Sequence, residues 1–103
     1  VTGVAFHPQA QIELAELTRY YENAANGLGA EFLDQVERSL SRLVDTPAFG
    51  HVVRAPVRRY LLGRFPVAIV YESIGDLVYV VAVMHLRRRL GYWRFRRASR
   101  RSS

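Results

Sequence analysis

The hydrophobic period of this chain changes once, near its middle, and that change dictates a mixed fold. Ala10, Leu14, Leu17, Tyr21 and Ala24 recur at alternating steps of four and three, which draws one apolar stripe along a helix. Leu33, Val36, Leu40 and Leu43 repeat the rhythm, with Phe32 beside them. From Val57 onward the apolar residues come instead in short runs of Val, Ile and Tyr, the composition of strands. Ahead of the first stripe, Val1 to Phe6 is short, apolar and β-branched, and reads as a strand too. The predicted order is therefore strand, two helices, three strands. It describes an α+β domain in which a helical hairpin packs on one small, mainly antiparallel sheet.

Local punctuation sets the boundaries. Pro8 fits the first turn of a helix, where a missing N–H costs nothing, and Asn26-Gly27 supplies residues that tolerate positive φ, so helix one runs from about Pro8 to Ala25. Glu13, Glu16 and Arg19 fall away from its apolar stripe and are expected in solvent. Only Asn26 to Gly29 separates the two stripes, which forces an antiparallel hairpin. Glu31 and Asp34 suit the first turn of helix two, and Thr46-Pro47 stops it. Ala48 to Pro56 reads as a polar link. The candidate strands are Val57 to Leu62, Phe65 to Glu72 and Leu77 to His85, the last two joined by the turn-forming Ser73-Ile74-Gly75-Asp76. Pro66 belongs at a strand start or an edge. With 103 residues the chain holds one domain, expected over residues 1–97, with an Arg/Ser-rich tail fraying over 98–103.

The two long strands are apolar on both faces, yet one helical hairpin covers only one of them. The second face needs a cover. The C-terminal segment with Tyr92 and Trp93, a second copy of the chain, or a partner's apolar helix or strand would each supply one. A partner as the cover would leave the isolated chain prone to aggregate.

Charge divides the chain along the same line as the period. Every basic residue is arginine. Residues 1–53 hold three of them against seven acids, net −4, whereas residues 54–103 hold twelve against two, net +10. The guanidinium is a rigid fork of donors suited to phosphate and carboxylate, so the second half favours a nucleic acid or an acidic protein surface as partner. The absence of cysteine excludes disulfides, thiolate zinc sites and a cysteine nucleophile. His7, His51 and His85 show no metal-ligand spacing, and neither a metal nor another cofactor is expected. No apolar run approaches the roughly 20 residues that span a bilayer. The N-terminus carries no basic region followed by an apolar stretch, so a cytoplasmic protein without a membrane role is the expectation.

Specific strings lie on this framework in a fixed order. They are His7-Pro8 with Ala10 and Leu14, Tyr20-Tyr21-Glu22, Gly27-Leu28-Gly29 with Phe32-Leu33, Pro47, Arg58-Arg59 with Leu61-Leu62, Arg64-Phe65-Pro66, Val70-Tyr71, and Ala82-Val83-Met84-His85 followed by Arg87-Arg88. Together, over residues 4 to about 97, the chain resembles the RelE/ParE superfamily of toxins from bacterial type II toxin–antitoxin systems, which includes the plasmid stabilisation proteins. The resemblance implies growth arrest by the toxin and neutralisation by a cognate antitoxin, whose usually acidic tail suits the basic half. It also implies that operator DNA is contacted only through the antitoxin.

The superfamily holds two toxin chemistries. RelE-like members cleave mRNA on the ribosome with basic residues and a Tyr or His, while ParE-like members poison DNA gyrase. Where ribonuclease members carry a key arginine on a central strand, this chain aligns Ala68, and the preceding strand reads Tyr60-Leu61-Leu62-Gly63 with only Arg58 and Arg59 nearby. Two expected cations are missing, which favours the ParE-like branch. The ribonuclease alternative would use His85, Arg87 and Tyr92. A third possibility is an inactive homologue that only binds antitoxin as a corepressor. On any reading, Arg58, Arg59, Arg64, Arg87, Arg88, Arg89, Tyr92 and Trp93 are the candidate contacts to target or antitoxin, since cations beside aromatics grip nucleic acid and acidic grooves alike. Tyr21 belongs to the core stripe and Tyr20 to its flank, and neither is expected to be catalytic.

Overall fold

The computed structural model describes residues 3–89 and 91–96. The expected tail over 98–103 and the first two residues of the expected N-terminal strand lie outside them. Strand β1 (Val4–Phe6) leads through the cap residue His7 into helix α1 (Pro8–Ala24), and α2 (Leu28–Asp45) returns antiparallel to it. A 3₁₀ turn (Pro47–Phe49) follows, then β2 (His51–Arg54), β3 (Val57–Leu61), β4 (Val67–Ile74) and β5 (Leu77–His85). One five-stranded sheet results, in the order β1-β5-β4-β3-β2, with β1 parallel to β5 and every other pair antiparallel. The α+β architecture agrees with expectation, but four strands follow the hairpin instead of three. The stretch read as a polar link contains β2, whose residues are mostly exposed and so show no core-facing alternation.

The hairpin closes tightly for two reasons. Gly27 takes φ +85° at the turn, and Gly29 brings α2 so near α1 that a Cβ there would stand 2.8 Å from the Thr18 carbonyl oxygen. Glu22 accepts hydrogen bonds from the Gly27 and Gly29 amides at 3.0 Å and secures the corner. Phe32, Val36, Leu40 and Leu43 of α2 then join Ala10 and Tyr21 of α1 against Val67, Ile69, Tyr71, Val78, Val80 and Val83 of the sheet. Tyr21 packs edge-on to Phe65 with ring centroids 4.8 Å apart, whereas Tyr20 is 62% exposed, the division their positions on the helix predicted.

A β-bulge breaks the register of β5. Tyr71 pairs with Val80 and Val70 with Ala82, so Val81 is one extra residue on β5. Val78 and Val80 face the helices before it, and Val83 faces them after it, while Val81, Ala82 and Met84 face the other way. The extra residue is what sets the parity of the strand's end: His85, two places after Val83, arrives on the side of α1.

The second sheet face carries its own buried cluster: Val57, Ala68, Val70, Val81, Ala82, Met84 and Trp93. Of the possible covers, the C-terminal segment is the one used. Trp93 is 2% exposed, brought over the sheet by the turn from Gly91. Among the described residues no helix is long and apolar enough to cross a membrane.

Candidate functional site

The site begins at an edge of the sheet. Strand β1 has only three residues and accompanies β5 no further than Val80, where the His7 amide donates to the Val80 carbonyl at 2.9 Å. Pro8 then starts α1, which crosses above the bare edge of β5. His7 caps this helix, its Nδ1 accepting from the Gln9 amide at 3.0 Å. Burial, and after it the charge of Arg96, lowers the His7 pKa, partly offset by Glu13. Beyond Val80 the outward amides of β5 have no strand to meet. Glu13 meets one: its Oε1 accepts from the Val83 N–H at 3.0 Å.

That assignment corrects the expectation for Glu13, which is 8% exposed instead of standing in solvent. Its second oxygen, Oε2, accepts from the Tyr92 hydroxyl at 2.7 Å and from Arg96 Nη1 at 2.9 Å, with Arg88 Nη1 at 3.9 Å. One carboxylate thus joins α1, β5 and the C-terminal turn. The Tyr92 ring is flanked by guanidiniums, that of Arg88 3.9 Å and that of Arg96 4.9 Å from its centroid. Burial, then the bond to Glu13, pushes the Tyr92 hydroxyl above its ordinary pKa. At neutral pH it is a firm donor with its proton already engaged.

Beside this network runs a groove of about 280 Å³ lined by Glu13, Glu16, Leu17, Tyr20, Val83, His85 and Arg88. An adjoining hollow of about 330 Å³ shares Leu17, Tyr20, His85 and Arg88 and adds Arg87. His85 is partly exposed, and its Nδ1 accepts from the Arg87 amide at 3.1 Å. In the neutral ring the proton then sits on Nε2, so the open nitrogen donates and has no lone pair for a base to use. The lining thus combines the apolar surfaces of Leu17, Tyr20 and Val83 with the cations of Arg87 and Arg88 and the carboxylates of Glu13 and Glu16.

The predicted residues do not all converge. Arg87, Arg88, His85 and Tyr92 gather at this end of the sheet, with Arg89 exposed just beyond. Trp93 lies beneath them in the second core. Arg58 turns inward, donating to the Gly50 carbonyl at 2.7 Å, and Tyr71, which donates to the Pro47 carbonyl at 2.6 Å, braces the same loop. Arg59 is partly buried, its Nε without a partner. Arg64 forms an exposed ion pair with Glu31 of α2. Neither Arg58 nor Arg64 lines the groove. Sequence reasoning missed Glu13 and Arg96. The signal for Glu13 was its place three residues after Ala10 and four before Leu17, inside the apolar arc it was thought to leave.

A broader, open and mostly apolar groove of about 1100 Å³ lies between the outer faces of α1 and α2, with Ile12, Ala15, Ala30 and Leu33 in its lining, and it contains none of the predicted residues. Among the described residues no three His, Asp or Glu side chains are grouped to hold a metal ion. In comparisons with known proteins, the family model of the ParE toxin of the type II toxin-antitoxin system, parDE, matches residues 4–90. No curated protein matches the chain. The family match includes Glu13, His85, Arg87 and Arg88 and ends before the turn that carries Tyr92, Trp93 and Arg96.

Proposed function

Because the chain belongs to the ParE toxin family of type II toxin–antitoxin systems, we propose that it arrests growth by inhibiting DNA gyrase in the cytoplasm and that a cognate antitoxin neutralises it. The observation that carries this reading is the closed second face of the sheet. Ala68, aligned with the key strand arginine of ribonuclease members, is fully buried in the cluster that Trp93 completes. A strand cation that must reach a scissile phosphate has no opening there. Tyr92 supports the same choice, since its hydroxyl proton is committed to Glu13. The exposed cations of Arg87, Arg88 and Arg89 are left as a contact surface for an acidic protein, whether target or antitoxin.

Induction of the chain alone in a bacterium, with pulse labelling of DNA and protein synthesis over the first minutes, tests the proposal. An early stop in DNA synthesis with an SOS response is the expected result. An early stop in translation with cleaved transcripts would overturn it in favour of a ribonuclease built on His85 and Arg87. Unimpaired growth with soluble protein would leave an antitoxin-binding corepressor.

A further inference from the structure

We propose that Glu13 is the positioning residue of the basic surface: it fixes the ring of Tyr92, and through that ring the guanidinium of Arg88. This rests on the reading of the arginines after β5 as the toxin's contact surface. Arg88 follows the last strand in an exposed turn, its guanidinium over the Tyr92 ring and its Nη1 3.9 Å from Glu13 Oε2. Left alone, such a side chain samples many rotamers and pays for ordering when it binds. Here the Tyr92 face lies 3.9 Å beneath the guanidinium, and the ring is held in place by the 2.7 Å bond from its hydroxyl to Glu13. Glu13 is itself held by the Val83 amide on the bare edge of β5. Its carboxylate is 10% exposed, whereas the Arg88 side chain is 51% exposed. The anchor is buried and the group it places is presented. Arg96, at 17% exposure, balances the anchor's charge from inside and leaves Arg88 free to offer its own charge outward.

The Glu13→Gln variant separates positioning from folding, because its amide oxygen still accepts from Val83 while the carboxylate that binds Tyr92 and Arg96 is gone. Spectra of the arginine Nε–H groups read the placement directly. In the wild-type chain one resonance, identified by its loss in Arg88→Lys, is expected upfield from the ring current of Tyr92. In Glu13→Gln it should return to the position of unstacked arginine while the backbone amide spectrum is kept. An unmoved Arg88 resonance would overturn the proposal. Should Glu13→Gln misfold, Tyr92→Phe cuts the same link without touching the Val83 bond and should shrink the same shift; an unchanged shift there also overturns it.

Activity is read as a double-mutant cycle, with potency in growth arrest corrected for soluble toxin. Glu13→Gln should weaken arrest about tenfold, as expected for a lost charge-assisted contact, and should cost nothing more in an Arg88→Ala background. Equal losses in both backgrounds would mean that Glu13 serves only the fold. A wild-type chain that never arrests growth would remove the toxin reading, and the spectra would still decide the role of Glu13.

Discussion

The Tyr92 hydroxyl donates to Glu13 Oε2 at 2.7 Å, a bond between residues 79 positions apart. Arg96 of the same turn makes a parallel contact, its Nη1 donating to Glu13 Oε2 at 2.9 Å. Removing the hydroxyl by Tyr92→Phe leaves a hydrogen bond to a carboxylate unmade, a loss of about 1.5 to 3 kcal/mol. A domain of this size should then melt several degrees lower. Thermal unfolding followed by circular dichroism measures it. An unchanged Tm would mean that the bond is exchanged for water at no cost.

Trp93 should be costlier to lose. With 2% exposure and Val57, Ala68, Val70, Val81, Ala82 and Met84 in its cluster, Trp93→Ala opens an apolar sheet face to water. The loss expected is about 3 to 5 kcal/mol, with dye binding to the uncovered face. Truncation after Arg89 should behave in the same way. Denaturant unfolding of the point variant tests this, and stability within 1 kcal/mol of wild type, an order-of-magnitude margin, would show that the sheet face is closed by something other than Trp93.

His85 separates the two toxin chemistries. On the gyrase reading, His85→Gln leaves transcripts intact during arrest, because the ring supplies contact and no proton transfer. On the ribonuclease reading, transcript cleavage present in the wild type disappears in the variant. Mapping transcript ends after induction of both proteins distinguishes them.

A pH dependence follows from His7. Burial and Arg96 hold its pKa below the ordinary 6.5, so the unfolded chain takes up a proton at a higher pH than the folded one. Its contribution to stability is complete above pH 6.5 and is lost as pH falls from there through the lower folded-state value. Protonation at Nδ1 would also end its acceptance of the Gln9 amide. Tm should therefore decline as pH falls below 6.5, and His7→Asp, which caps the helix without titrating there, should flatten that part of the profile. A slope that survives the substitution would assign the effect to other groups.

Much of the architecture was legible because its causes are local. The stripe from Ala10 to Ala24, the hairpin at Gly27, and the two apolar strands follow from period and turn chemistry. The face count even anticipated a cover for the sheet and named Trp93 among its sources. Strand β2 escaped because it is short, exposed and lies at an edge, where no alternation is imposed on it. Glu13 escaped for a different reason. A carboxylate on a helix ordinarily faces water, and only the early end of β1 creates the buried amide that it satisfies. Strand alternation already sets Arg58 and Arg59 on opposite faces, so that part of the scatter was legible; the partners of Arg58 and Arg64 were not, because charge composition counts cations without saying which backbone oxygens or carboxylates already claim them.

The bulge at Val81 acts as a phase shifter for the surface. It keeps Val83 in the same helix-side core as Val78 and Val80 and brings His85 up beside Leu17 and Tyr20. What this edge displays is decided by counting residues, and no side chain's chemistry enters the decision. Strict alternation from Val80 with no bulge would carry Val81, Val83 and His85 to the face away from α1, so a strand of the same length and the same side chains would display a different surface.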